Sequence, residues 1–159
     1  MAEDKLLIVV CTANMCRSPM AEGILRARLG EQSGWRVLSA GVMAVPGSPA
    51  TQEARQAAAE IGINLDGHRS RPLTEDLVQQ ADLLVTMTKM HAAMVMARFP
   101  EADGKTRLLS TFGCDDSFRD IPDPVGQPLT VYRHCRDDIE SAVADLVLTL
   151  RGKGEPEEP

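Results

Sequence analysis

Residues 6–20 read Leu-Leu-Ile-Val-Val-Cys-Thr-Ala-Asn-Met-Cys-Arg-Ser-Pro-Met, and the change of pattern within this stretch decides the fold. Leu6 to Val10 is a continuous apolar run with β-branched residues, lacking the alternation of a half-exposed strand. It predicts a strand buried on both faces, as in a parallel sheet. Ser18-Pro19 then reads as a helix start, with Ser18 as N-cap and Pro19 in the first turn, where its missing N–H costs nothing. The segment from Cys11 to Arg17 is therefore the turn of a strand-to-helix unit.

Moving outward, strands and helices alternate. Met20, Ile24 and Ala27 recur at helical spacing and are expected to face the sheet. Trp35 to Ser39 reads as a second strand, followed by a Gly/Pro-rich loop from Gly41 to Pro49. Ala54, Ala57, Ala58 and Ile61 give the next helix a buried stripe that Gly62 ends. Thr74 to Ala81 reads as a short helix and Leu83 to Met87 as a third strand. Lys89 to Phe99 reads as a helix stopped by Pro100, and Arg107 to Leu109 can form a fourth strand. Tyr132, Cys135, Ile139, Ala142, Leu146 and Leu150 mark a long final helix from Leu129. This order predicts an α/β fold: one domain over residues 1–151, with a parallel sheet, helices on both faces and right-handed crossovers. The charged, Pro/Gly-rich segment 152–159 reads as a disordered acidic tail.

Composition narrows the partners. The 159 residues suit one domain, and a formal charge of −6 argues against nucleic acid, whose phosphates select basic surfaces. An anionic ligand must then be held by a local site. The longest apolar run, Leu6 to Cys11, is far short of the ~20 residues that span a bilayer, so no membrane insertion is expected. Four cysteines without a secretory leader fit a reducing, cytoplasmic setting. No zinc-ligand spacing is visible, and no metal or other cofactor is expected. The eight methionines outnumber one Trp, one Tyr and three Phe. Met87, Met90, Met94 and Met96 read as core filler.

Parallel sheets bind ligands beyond the carboxyl ends of their strands, which is where Cys11-Thr12-Ala13-Asn14-Met15-Cys16-Arg17-Ser18 falls. Successive N–H groups in such a loop can form an anion nest, reinforced by the helix N-terminus. Arg17 supplies a two-pronged fork for phosphate oxygens. Cys11, at the rim of this positive field, is a candidate nucleophile, since helix N-termini and nearby cations favour the reactive thiolate. A lone cysteine ending a strand is more often a small core residue, but an Arg six positions on and a helix start behind it favour the nucleophile. Asp123, stiffened by Pro122 and Pro124, is a candidate general acid for a departing oxygen or nitrogen. Taken alone, its Asp-Pro pair reads equally as a turn initiator.

With these segments in hand, the chain resembles the low-molecular-weight protein phosphatases from Leu6 to about Leu150, with some likeness to their arginine-phosphate branch. Cys11 to Ser18 matches the family signature and is followed by Pro-Met-Ala-Glu-Gly. Ser39 to Gly41, Gly67 to Leu73, Ala81 to Thr88 and Asp120 to Pro124 also fall in family order. The resemblance implies a Rossmann-like, four-stranded parallel sheet of the phosphotyrosine phosphatase I type. It implies a phosphorylated protein as substrate and catalysis through phosphocysteine. Cys11 would attack phosphorus, Arg17 would clamp the equatorial oxygens, and Asp123 would protonate the leaving group and then activate water. Ser18 would donate to the Cys11 sulfur. Asn14, braced by Ser39 and His68, would hold the loop in its strained shape.

Departures bear on substrate. Ala13 stands where the family usually has Gly, and a positive φ there would cost ~1–2 kcal/mol. Val125 stands where tyrosine-directed members place an aromatic. Met15 stands where those members often carry Ile and the arginine branch carries Thr. An apolar Met15 wall suits a phenol ring better than a guanidinium, so phosphotyrosine is the expected substrate and phosphoarginine the alternative. Arsenate reduction would need two further cysteines after the third strand, where Thr86 to Lys89 has none, and Cys114 and Cys135 lie elsewhere. A phosphocysteine carrier would have no use for Asp123, and a non-catalytic phosphoprotein reader none for the whole set. Cys16, inside the same curled loop, could reach disulfide range of Cys11 and trap its oxidised form, which predicts redox regulation. It could equally be a small residue packing under the loop. Nothing in the sequence gives an oligomeric state.

Overall fold

The computed structural model describes residues 4–112 and 119–154. Strand β1 (Lys5–Cys11) lies between β2 (Trp35–Gly41) and β3 (Leu83–Thr86), and β4 (Thr106–Leu108) follows β3 at the edge. The four strands are parallel, in the order β2-β1-β3-β4. β1 therefore has a neighbour on each side, and its continuous apolar run has a direct cause. Leu7, Val9 and Cys11 join the core under α1 (Arg17–Leu29), α2 (Gln52–Ala59) and α5 (Leu129–Gly154). Leu6, Ile8 and Val10 join the core under α3 (Glu75–Gln80) and α4 (Lys89–Arg98).

Connections leave β1 toward β2 on one side and enter β3 on the other, so a crevice opens at the carboxyl ends of β1 and β3. Open α/β sheets bind ligands at such switch points. The segment after β1 and the first turn of α4, after β3, both face it. Among the described residues, no helix is long and apolar enough to cross a membrane.

Several sequence expectations are corrected. α1 begins at Arg17 with Cys16 as N-cap, so Ser18 lies inside the helix, and no side chain caps its N-terminus. Met20 and Ile24 are buried as expected, together with Leu25 and Leu29, but Ala27 is exposed because it lines an open cleft with Gly23, Leu38 and Ile63. Met87 fills the core, whereas Met90 is 66% and Met96 38% exposed, because α4 buries only His91 and Val95. α5 buries Val143 and Val147 beside the expected stripe and runs to Gly154. Cys114 and the tail beyond Gly154 lie outside the described residues.

Candidate active site

The backbone from Cys11 to Cys16 is tied from outside. The Cys11 carbonyl accepts from Val42 N at 3.0 Å, that of Thr12 from Met43 N at 2.9 Å, and that of Met15 from Thr51 N at 3.0 Å. The Asn14 carbonyl accepts from His68 Nε2 at 2.7 Å, which places the His68 ring proton on Nε2. With these carbonyls held outward, successive N–H groups are left for the concave side, the arrangement of an anion nest. The uncapped start of α1 adds its unpaired N–H groups and positive dipole end. Gly41 is required for this closeness, since a Cβ there would come within 2.5 Å of the Thr12 carbonyl oxygen.

A buried side-chain chain sets the loop's shape and polarity. Asn14 has φ 59°, a left-handed value that Asn tolerates better than most residues. Its Oδ1 accepts from Arg71 N at 2.9 Å, which fixes Nδ2 as the donor pair. Nδ2 then donates to Ser39 Oγ at 2.9 Å and to Ser18 Oγ at 2.7 Å. Ser39 spends its own proton on Glu22 Oε1 at 2.6 Å. Ser18 therefore keeps its proton for Cys11 Sγ, 2.9 Å away. That demand explains why Ser18 does not cap α1: its hydroxyl is drawn inward. Ala13 does not share the positive φ, so its departure from Gly carries no such penalty.

Arg17 is only 3% exposed. Its Nη1 donates to the Ile121 carbonyl at 2.9 Å, and Nη2 donates to Thr12 Oγ1 at 3.3 Å and lies 3.5 Å from Asp123 Oδ2. Its Nε has no partner among the described residues. A buried guanidinium N–H without an acceptor is costly, so this donor marks where an oxyanion would bind. Asp123 sits on an exposed loop, its Oδ1 accepting from Val125 N at 3.1 Å, and Asp120 anchors the same segment by accepting from Lys89 N at 2.8 Å. Across the crevice, His91 Nε2 is 2.8 Å from Thr12 Oγ1. Burial, then the Arg17 charge, push His91 down to about 4.

The expected residues Cys11, Thr12, Ala13, Asn14, Met15, Cys16, Arg17 and Ser18 thus form one loop, with Ser39 and His68 behind it and Asp123 beside Arg17. Cys16 is buried, its Sγ 3.4 Å from Tyr132 Oη and 3.5 Å from Thr51 Oγ1, and burial pushes its thiol up. Cys135 packs in the core, where burial pushes it up to about 12. Among the described residues no cluster of His, Cys, Asp or Glu could hold a metal ion. Sequence reasoning missed Glu22, Thr51, His91, Ile121 and Tyr132. Tyr132 stood on the core stripe, and Glu22 and Ile121 within quoted family segments, but the contacts of Thr51 and His91 left no local signal.

Fold and loop together define a class: a parallel α/β protein whose first strand delivers a cysteine into a backbone cradle for an oxyanion. The sequence profile of the family described as "Low molecular weight phosphotyrosine protein phosphatase" matches residues 6–155. The chain belongs to this family of phosphatases. It is 40% identical over 147 residues to a protein-arginine-phosphatase of Geobacillus stearothermophilus, covering 91% of this chain and 95% of that one. It is also 40% identical over 136 residues to the low molecular weight protein-tyrosine-phosphatase Etp of Escherichia coli K12, covering 86% and 88%. The solved structure of the YwlE arginine phosphatase from Geobacillus stearothermophilus superposes with a TM-score of 0.89 at 36% identity, covering 98% of both chains.

Proposed function

We propose that the protein removes phosphate from phosphotyrosine in proteins by way of a phosphocysteine on Cys11. The buried Arg17 Nε, without a partner among the described residues, is the observation that carries the reading, because it lies in the loop that begins with the nucleophile. Phosphate oxygens bind the loop N–H groups and the Arg17 fork. Cys11 Sγ attacks phosphorus as the P–O bond to the phenol breaks, and Asp123 gives its proton to the departing oxygen. In the second step a water loses a proton to Asp123 and attacks phosphorus, breaking the S–P bond. The Ser18 proton stabilises the sulfur as it leaves.

Met15 carries the substrate choice. It is partly buried against the core and offers a thioether surface that accepts hydrogen bonds weakly. A phenol ring gains apolar contact there, whereas each guanidinium N–H left unpaired costs ~1–3 kcal/mol. Phosphoarginine is the second reading. It is favoured by the Geobacillus relative's name and by Val125, which is 57% exposed and gives no ring to stack on a phenol. A cytoplasmic location accords with the free thiols of Cys11, Cys16 and Cys135.

Rates on matched phosphotyrosine and phosphoarginine peptides test the choice. The wild-type protein is expected to have the larger kcat/KM on phosphotyrosine, and Met15→Thr to shift preference toward phosphoarginine. A wild-type preference for phosphoarginine would overturn it.

A further inference from the structure

The first turn of α4 buries a histidine that none of these steps uses. His91 is 4% exposed, and its backbone N–H is spent on the Thr88 N-cap hydroxyl at 3.0 Å. Its Nδ1 has no partner, so the contact of Nε2 with Thr12 Oγ1 is its one side-chain hydrogen bond among the described residues. Thr12 belongs to the loop after β1 and His91 to the helix after β3, so this bond spans the crevice that holds the site.

Arg17 sets one side of it, and the tautomer of the ring sets the other. Arginine only donates, so Thr12 Oγ1 must turn a lone pair toward Nη2. The hydroxyl proton then points elsewhere, and a neutral Nε2 at 2.8 Å is placed to receive it. A threonine hydroxyl without that acceptor would be free to rotate and could turn its proton toward the guanidinium. Burial and the Arg17 charge leave the ring neutral at pH 7, as an acceptor must be, and outweigh the opposing charges of Asp123 and Asp120. The guanidinium is thereby held by the Ile121 carbonyl on Nη1 and the Thr12 oxygen on Nη2, beside the Asp123 carboxylate, with Nε left over among the described residues.

We propose that His91 is a positioning residue for the phosphate clamp: by accepting the Thr12 hydroxyl proton it locks a Thr12 lone pair onto Arg17 Nη2 and sets the plane of the fork. The proposal rests on Arg17 being that clamp. His91 touches neither substrate nor the reacting atoms, and it acts through Thr12 alone.

Competitive inhibition by inorganic phosphate at pH 7, measured with an aryl phosphate substrate, tests it through a double-mutant cycle. His91→Leu is expected to weaken phosphate roughly tenfold, in keeping with loss of alignment in a charged hydrogen bond. His91→Gln, which can offer an amide oxygen, is expected to recover part of that loss. In a Thr12→Val background, His91→Leu is expected to change phosphate affinity by less than about twofold, because the intermediary is already gone. A folded His91→Leu protein that binds phosphate as the parent does overturns the proposal. So does a penalty that persists undiminished beside Thr12→Val, which would mark a general packing effect. If His91→Leu does not fold, Thr12→Val alone decides: a roughly tenfold loss supports the relay and unchanged affinity ends it. Arg17→Ala separates the layers, since unchanged phosphate affinity there would remove the clamp itself, whatever His91 does.

Discussion

Arg17 Nη2 stands 3.5 Å from Asp123 Oδ2, which couples a buried cation at the start of α1 to an acid on an exposed loop. The same carboxylate that is to serve as acid and base thus competes with phosphate for the clamp. Asp123→Ala removes that competition, and since its side chain is 40% exposed the repulsion is partly screened. Phosphate inhibition is expected to tighten roughly two- to tenfold while kcat falls. The fall is expected to be steepest for aryl phosphates with poor leaving groups, which need the proton most. Equal slowing across leaving groups would remove Asp123 from the acid role.

Asn14 concentrates the shape of the loop in one residue. It holds φ 59° and makes hydrogen bonds to Arg71 N, Ser39 Oγ and Ser18 Oγ. Asn14→Ala loses all three and places an ordinary Cβ in a left-handed conformation, at ~1–2 kcal/mol for the backbone alone. Both melting temperature and kcat are expected to fall. Asn14→Gly relieves the backbone but not the lost bonds, so it is expected to regain stability while kcat stays low. A fully active Asn14→Gly would show that the side-chain network does not set the orientation of Ser18.

Cys16 bears on redox control, where its burial imposes a condition on the expected trapping of oxidised Cys11. Trapping needs the Cys16 thiolate to displace water from a Cys11 sulfenic acid, and burial raises the Cys16 pKa. The reaction is therefore expected to be slow at neutral pH and faster as pH rises. After peroxide and then thiol reductant, the parent is expected to recover more activity than Cys16→Ala, with a gap that widens at higher pH. Equal recovery would leave Cys16 as a residue that only packs against Tyr132 and Thr51.

His91 also links stability to pH. Its folded value of about 4 lies below the ordinary 6.5, so between these values the unfolded chain binds the proton that the folded chain refuses. Its contribution is full above pH 6.5 and is lost as pH falls toward 4. Urea midpoints taken across this interval are expected to drop more steeply for the parent than for His91→Gln. Parallel slopes would show that the ring is not held neutral by the fold.

Much of this was legible from local pattern. The unbroken run Leu6 to Val10 announced a strand covered on both sides, and Cys11, Arg17 and the Ser-Pro step announced a cradle. Ser18 was misread as the cap because a serine before proline gives the same sequence signal whether its hydroxyl turns to its own helix or to a sulfur seven residues back. Ala27 kept helical spacing with Met20 and Ile24, but spacing does not record that a cleft opens along that part of α1. His91 was beyond reach for a related reason. Its partner Thr12 is 79 positions away, and only the order of strands brings them together.

The most direct test of covalent catalysis is mass spectrometry of Asp123→Ala protein, acid-quenched during turnover of p-nitrophenyl phosphate. That substrate's good leaving group lets the first step proceed without an acid, while the missing base slows attack by water. Phosphate is expected to accumulate on the peptide that carries Cys11, and to be absent from the same peptide when Cys11 is replaced by Ala and turnover is lost. Continued turnover with no phosphate on Cys11, or phosphate found only on another residue, would contradict catalysis through this cysteine.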